Sequence, residues 1–226
     1  MKVKVLGLAV LGCALASLAA AQVPPATTAS DDLQATIAAY RARLATNPGD
    51  AVAHNKLGIC YQRQHQLKLA RKEYDKAIEL SAAYAEPWNN LGTLEQGRGK
   101  FKKAVAAYRK AIALKPDRAT FHRNLGTAWL AWGRFPLAVE AFAEAVRLDP
   151  ANLNAPDSAA FTESGVAKGQ LYFAYAKVFA ARGDFESALV WLTKAREAGF
   201  RDFGRVSADP DFAQVRSDPR YAGLSR

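Results

Sequence analysis

Residues 85–118 have the sequence AEPWNNLGTLEQGRGKFKKAVAAYRKAIALKPDR, and the main features of this segment recur 34 residues before it and 34 residues after it. Each copy carries a Leu-Gly pair followed by two alanines that flank an aromatic residue. The recurring columns are Leu57, Leu91 and Leu125; Gly58, Gly92 and Gly126; Ala70, Ala104 and Ala138; Tyr74, Tyr108 and Phe142; and Ala77, Ala111 and Ala145. A fixed period of this length is typical of stacked supersecondary units that bury their apolar faces against one another.

Each unit is predicted to form two antiparallel helices joined by a tight turn. The first helix carries the Leu-Gly pair, and the second carries Ala, aromatic and Ala at spacings of four and three residues. Gly99 and Gly133 fall in the turns, while Pro116 and Pro150 close the second and third units. We expect the small residues to lie where the helices cross, and rings such as Tyr108 to fill the joint between units.

These columns resemble the tetratricopeptide repeat family, whose pattern is matched in the second unit by Trp88, Leu91, Gly92, Ala104, Tyr108, Ala111 and Pro116. The resemblance implies an all-α solenoid of antiparallel helix pairs with N- and C-terminal capping helices. It also implies a concave surface, formed by the first helices, on which a partner would bind. Within the second unit, Glu95 replaces the first-helix aromatic of the flanking units, so we expect looser packing there.

The period sets the predicted boundaries of the chain. They are a signal peptide (1–21), a linker (22–30), an N-terminal capping helix (31–50), three repeats (51–84, 85–118 and 119–152), an insertion loop (153–168), a degenerate fourth repeat (169–202) and a C-terminal cap (203–226). Within the cap, Asp209-Pro210 and Asp218-Pro219 each place a capping residue before a proline, which predicts two short helices.

The N-terminus has the features of a secretory signal. Lys2 and Lys4 precede an apolar run over residues 5–18, and Ala19-Ala20-Ala21 supplies small residues for cleavage before Gln22. We expect the mature chain to be exported, either to the periplasm or as a secreted protein. Two alternatives stay open: retention of the segment as an anchor, and a lipoprotein acylated at Cys13.

Composition indicates a globular, positively charged protein. Of its 226 residues 50% are hydrophobic and 23% charged, which excludes a disordered chain, and its many alanines argue against an all-β fold. The formal net charge of +10 favours an acidic partner. Eight bases against one acid lie in residues 98–118, on the predicted outer face of a second helix. This face is either simply solvated or contacts an anionic envelope surface, whereas export makes nucleic acid an unfavourable partner.

The sequence predicts neither an enzyme nor a cofactor. It contains no Gly-x-Ser-x-Gly motif, no phosphate-binding loop and no His-Glu-x-x-His motif. His54 and His122 occupy one column two units apart, about 20 Å from each other at helix spacings of 8–10 Å, so they cannot share a metal. Cys60 lies on a tightly packed first helix and is predicted to be buried and inert.

The predicted function is non-enzymatic binding of a protein or peptide in the concave groove. Asn90 and Asn124 directly precede a Leu-Gly pair and are expected to point along the concave side, where an amide can hold a peptide backbone. The predicted peptide-binding residues are Asn55, Asn89, Asn90, Arg123 and Asn124. Among them, Asn90 and Asn124 resemble the asparagine ladder of some tetratricopeptide peptide binders. The alternative function is a structural or assembly subunit of an envelope complex that binds through its convex or capping surfaces.

Overall fold

The computed structural model describes residues 29–151 and 168–224. The predicted signal peptide, most of the linker, and the insertion up to residue 167 lie outside the described residues. Every regular element of the described ranges is helical. The helices are α1 (Ala29–Thr46), α2 (Ala51–Arg63), α3 (Leu67–Leu80), α4 (Ala85–Gly97), α5 (Phe101–Leu114), α6 (Ala119–Ala131), α7 (Phe135–Leu148), α8 (Lys168–Ala181), α9 (Phe185–Glu197), α10 (Phe203–Ala208), α11 (Ala213–Ser217) and α12 (Pro219–Leu224), with a 3-10 turn at Pro210–Phe212.

The helices pack as four consecutive pairs, α2 with α3, α4 with α5, α6 with α7, and α8 with α9. Each first helix also packs against the second helix of the preceding pair, and α1 covers the exposed side of α2. Contacts between α2 and α4, and between α4 and α6, place successive first helices side by side. The predicted all-α solenoid with capping helices is confirmed. Within the described ranges, no helix has the length and apolar character needed to span a bilayer.

The repeated glycines and aromatic rings explain why the two helices of a repeat approach closely. A Cβ added at Gly92 would lie 2.6 Å from the ring of Tyr108, and Gly58 and Gly126 face Tyr74 and Phe142 in the same way. The Tyr108 hydroxyl also donates to side chains of its own repeat, within α4. The ring therefore packs inside its own repeat, and it also belongs to the buried cluster that continues into the third repeat. A side chain at the glycine would occupy the space that the ring needs.

The buried apolar residues form two main clusters along the solenoid. The smaller one contains Ile37 of α1 and residues of α2 to α5, and the larger one extends from Ala104 in α5 to Tyr221 in α12. Because both clusters include residues of α5, the second repeat packs against the first repeat through one cluster and against the third repeat through the other.

The C-terminal cap closes the solenoid over α8 and α9. Asp209 accepts a hydrogen bond from the backbone N–H of Asp211, and Asp218 accepts one from that of Arg220, so both predicted caps form. Phe212 and Tyr221 turn inward and are buried. A further helix, α10, precedes these two motifs and was not predicted, because its sequence lacks an Asp-Pro start.

Candidate functional site

The predicted binding residues lie on the first helices of the first three repeats. Asn55 is on α2, Asn89 and Asn90 are on α4, and Arg123 and Asn124 are on α6. Because these helices lie side by side, polar groups 35 residues apart, one more than the repeat period, come within hydrogen-bond distance of each other.

The asparagine amides are used to link one repeat to the next. Asn90 Nδ2 donates to Asn55 Oδ1 at 2.9 Å, and Asn124 Nδ2 donates to Asn89 Oδ1 at 2.9 Å. Asn55 in turn donates from Nδ2 to the hydroxyl of Tyr84 at 3.1 Å. The two hydrogen bonds between asparagine side chains each join one first helix to the neighbouring first helix, so they fix the relative rotation of neighbouring repeats.

Burial separates the five predicted residues. The exposed fractions are 2% for Asn55, 9% for Asn89, 8% for Arg123 and 3% for Asn124, while Asn90 is half-buried. The expectation that Asn124 points along an open concave surface is therefore wrong. The amide of Asn124 gives one of its two N–H donors to Asn89 on the preceding first helix, α4. The peptide-binding role of the five residues stays a prediction.

The accessible charges of the first-helix surface are basic. Lys56 and Arg63 are exposed on α2, and neither has a carboxylate within ion-pair distance among the described residues. They are seven residues apart, which places them on one face about 10 Å from each other along the helix. The set of binding residues predicted from the sequence contains neither Lys56 nor Arg63. Their helical spacing was the signal that could have identified them.

The acidic residues of α4 are neutralised by ion pairs. Glu95 is 4% exposed, and its carboxylate pairs with Arg71 of the preceding repeat and, at 3.7 Å, with Arg98. At the position where looser packing was expected, the buried carboxylate of Glu95 thus meets the half-exposed guanidinium of Arg71. Burial acts to raise the pKa of Glu86, but the hydrogen bond from Lys115 at 2.7 Å, a backbone hydrogen bond and the charges of Lys115 and Arg118 together hold that pKa below the usual range.

His54 and His122 have structural partners. Nε2 of His54 lies 3.2 Å from the carbonyl oxygen of Pro48, and Nε2 of His122 lies 2.8 Å from that of Pro116, so this column ties a first helix to the turn before it. Among the described residues no three His, Cys, Asp or Glu side chains are grouped closely enough to hold a metal. Cys60 is buried, and burial raises the pKa of its thiol.

A solenoid of stacked, equivalent helix pairs defines the chain as an α-helical repeat protein. Two models described as tetratricopeptide repeat match it, over residues 49–117 and 89–152. The protein belongs to the tetratricopeptide repeat family.

Solved structures share the fold at low sequence identity. MamA is 21% identical with a TM-score of 0.52, over 76% of this chain and 95% of MamA. PilF of Pseudomonas aeruginosa is 19% identical with a TM-score of 0.57, over 87% of this chain and 81% of PilF. The thermophilic protein TTC0263 of Thermus thermophilus is 18% identical with a TM-score of 0.51, over 85% of this chain and 90% of that protein. No curated protein matches the sequence. Tetratricopeptide repeats generally serve as protein–protein interaction scaffolds, typically without catalytic activity.

Proposed function

We propose that this protein is a non-enzymatic scaffold that binds an acidic peptide segment of a partner protein on its first-helix groove. The groove is the surface formed by α2, α4, α6 and α8. The observation that carries the proposal is the charge of its accessible groups, since Lys56 and Arg63 are exposed and unpaired while Glu86 and Glu95 are both in ion pairs. A carboxylate on the partner would be attracted by the two bases of α2, and α4 has no unpaired acid to repel it.

The spacing of the two bases supports an extended ligand. Seven residues of helix separate Lys56 from Arg63 by about 10 Å, which equals about three residues of an extended peptide. Peptide carboxylates three residues apart therefore match the two charges. Asn90, on the neighbouring α4, is half-buried and is the member of the predicted asparagine set that a peptide reaches most directly.

A displayed library of random peptides tests the proposal. We expect the wild-type chain to enrich acidic peptides, and Lys56→Glu combined with Arg63→Glu to weaken their binding at least about tenfold, through loss of two attractions of about 1 kcal/mol each. Both side chains are exposed, so the melting temperature should change little.

A matched control carries Arg134→Glu and Arg182→Glu, which change the net charge equally at exposed turns outside the groove. This control should bind the enriched peptides like the wild type. Equal binding by the α2 variant, or enrichment of peptides without acidic residues, would refute the acidic-peptide groove.

Export is a separate part of the proposal and rests on the N-terminal sequence. The charged start, the apolar run and the alanines before Gln22 support cleavage after residue 21 and a periplasmic or secreted location. The intact mass of the protein from the exported fraction should then correspond to residues 22–226. A mass that includes Met1 would support a retained anchor, and added lipid mass on Cys13 would support the alternative of an acylated envelope subunit that binds through its convex or capping surfaces.

A further inference from the structure

The outer face of α5 carries a cluster of unpaired positive charges. Lys100, Lys102, Lys103 and Lys110, here called the α5 patch, are all exposed. None of the four has a carboxylate within ion-pair distance in the described part of the chain, and α5 itself contains no acidic residue. The four ammonium groups therefore face solvent without a compensating charge from the protein.

The equivalent faces of the other repeats carry both signs of charge. The position of Lys110 is occupied by Lys76 in the first repeat, which pairs with Glu79 at 2.9 Å. The third repeat has Glu144 there, paired with Arg147 at 2.6 Å. An unbroken basic outer face is thus specific to the second repeat and does not follow from the repeat fold.

The shape and chemistry of the α5 patch fit a flat anionic surface. Ala106 and Ala113 separate the bases, the ring of Tyr108 is fully buried and Phe101 is partly buried, so no fully exposed aromatic side chain lies among the bases to anchor a protein or stack on a nucleobase. Lysine ammonium groups are compact point charges that need no fixed ligand geometry. From Lys100 to Lys110 the bases extend over about 15 Å along the helix, the scale of a few lipid headgroups.

We propose that the α5 patch docks the protein onto a bilayer that contains anionic phospholipids. A cluster of four to eight bases on a helix is the charge density at which anionic lipid is attracted. Because the patch lies on a second helix and the groove on the first helices, a peptide and a membrane can be bound at the same time.

Vesicle co-sedimentation with the full chain tests the proposal. The protein should bind phosphatidylcholine vesicles that contain phosphatidylglycerol more strongly than pure phosphatidylcholine vesicles, which report any binding by the apolar N-terminus. Raising the salt from 0.1 M to 0.5 M should remove this preference, since the Debye length falls from about 10 Å to below about 5 Å. Lys102→Glu with Lys110→Glu should lower partitioning to anionic vesicles at least about tenfold.

The control again combines Arg134→Glu with Arg182→Glu, which makes the same change in net charge away from the patch. It should partition within about twofold of the wild type if the α5 patch forms the contact. Glu144 occupies the position of Lys110 in the third repeat, so Lys110→Glu should retain the fold. A second variant, Lys102→Gln with Lys110→Gln, should keep the melting temperature unchanged and show a smaller loss of partitioning to anionic vesicles.

Three results would overturn the proposal. They are the absence of any preference for anionic vesicles, equal losses in the patch and control variants, and tighter binding to polyglutamate or duplex DNA than to anionic vesicles. The last would assign the patch to an acidic protein or a nucleic acid. Because Lys56 and Arg63 are unchanged in these variants, failure of the membrane contact leaves the groove proposal intact.

Discussion

His65 stands in a backbone position that the other repeats give to glycine. Its φ of 57° is left-handed, as are the φ angles of Gly99, Gly133 and Gly183 at the equivalent turn. A residue with a Cβ is strained in this region, whereas glycine adopts it freely. The first repeat therefore carries a local cost that the others avoid.

Replacing His65 with glycine should stabilise the protein by about 0.5–1 kcal/mol, because relief of about 1–2 kcal/mol of left-handed strain exceeds the entropy cost of glycine. Urea unfolding measures the change. The opposite substitution, Gly99→Ala, meets no side chain within 4 Å and should lose about 1 kcal/mol by conformation alone. A destabilised His65→Gly variant would show that the imidazole makes contacts worth more than the strain.

Asn124 shows that a residue chosen as a ligand contact has a structural role. In Asn124→Ala the buried Oδ1 of Asn89 loses its donor, which should cost about 1–3 kcal/mol. The melting temperature should fall by several degrees, at about 2–4 °C per kcal/mol for a chain of this size. Asn90→Ala is the parallel case, because it removes the donor to the buried Oδ1 of Asn55, and its loss should be of similar size. Unchanged melting of Asn124→Ala would contradict the inter-repeat bond.

At the level of the helix, the second helices begin in two ways. Asp184 accepts a hydrogen bond from the backbone N–H of Ser187 at 3.0 Å and so caps α9. The equivalent residues Gln66, Lys100 and Arg134 make no such bond. Lys100 also places a positive charge at the positive end of the helix dipole, which is unfavourable.

Lys100→Asp should therefore stabilise the protein by about 1 kcal/mol, through a cap like that of Asp184 and a favourable charge at the helix start. Chemical unfolding without vesicles is the appropriate measurement. Asp184→Ala provides the comparison and should lose about as much as Lys100→Asp gains. No change in the Lys100 variant would mean that the backbone at residue 100 does not bring a carboxylate to the N–H of Lys103.

At the junction between α9 and α12, one arginine binds two carboxylates. Arg220 donates to both oxygens of Glu186, at 2.8 and 2.7 Å, and also to Asp218. Its hydrogen bonds lower the pKa of Asp218 from 3.8 to about 2 and also lower that of Glu186. A carboxyl group whose pKa is lower in the folded state stabilises that state above its unfolded pKa and loses this contribution as the pH falls through the folded value.

The melting temperature of the wild type should thus exceed that of Arg220→Gln near neutral pH, and the difference should shrink as the pH falls from about 4 to about 2. Calorimetry of the two chains across this range isolates the junction, because all other carboxyl groups titrate in both. A difference independent of pH would show that Arg220 acts through packing rather than charge. These groups are exposed, so the effect should be modest.

Over the whole molecule, stability depends on contacts between neighbouring repeats. Tyr108 is fully buried against Gly92, and it belongs to the cluster that continues through the third and fourth repeats to the cap. Loss of its ring affects its own repeat first and then the repeats stacked on it.

Tyr108→Ala should cost about 3–5 kcal/mol as the removal of a large buried aromatic side chain. Tyr108→Phe is the milder comparison, since it keeps the ring over Gly92 and loses only the hydroxyl bonds to Thr93 and Gln96, worth about 0.5–1.5 kcal/mol each. Equilibrium unfolding of both variants separates the free energy of unfolding lost with the hydroxyl from that lost with the ring. A loss below about 1 kcal/mol for Tyr108→Ala would show that the aromatic column is not a core element.

The amino-acid sequence by itself determined the architecture. The period of the Leu-Gly pairs, the alanines and the aromatic rings predicted the helix pairs, and Asp209-Pro210 and Asp218-Pro219 predicted the capped segments at the C-terminus. These features depend on spacing within about 34 residues and on local backbone chemistry, so they can be recognised without coordinates.

Only the tertiary structure decided which polar groups are available to a partner. Asn124 bonds to Asn89 and Glu95 pairs with Arg71, although the sequence suggested an exposed amide and a packing defect. Lys56 and Lys110 stay without acidic partners because no carboxylate of a neighbouring repeat lies near them in the described ranges. Such pairings depend on how far one repeat rotates against the next, which brings together side chains 24–35 residues apart in a way that the period alone does not specify.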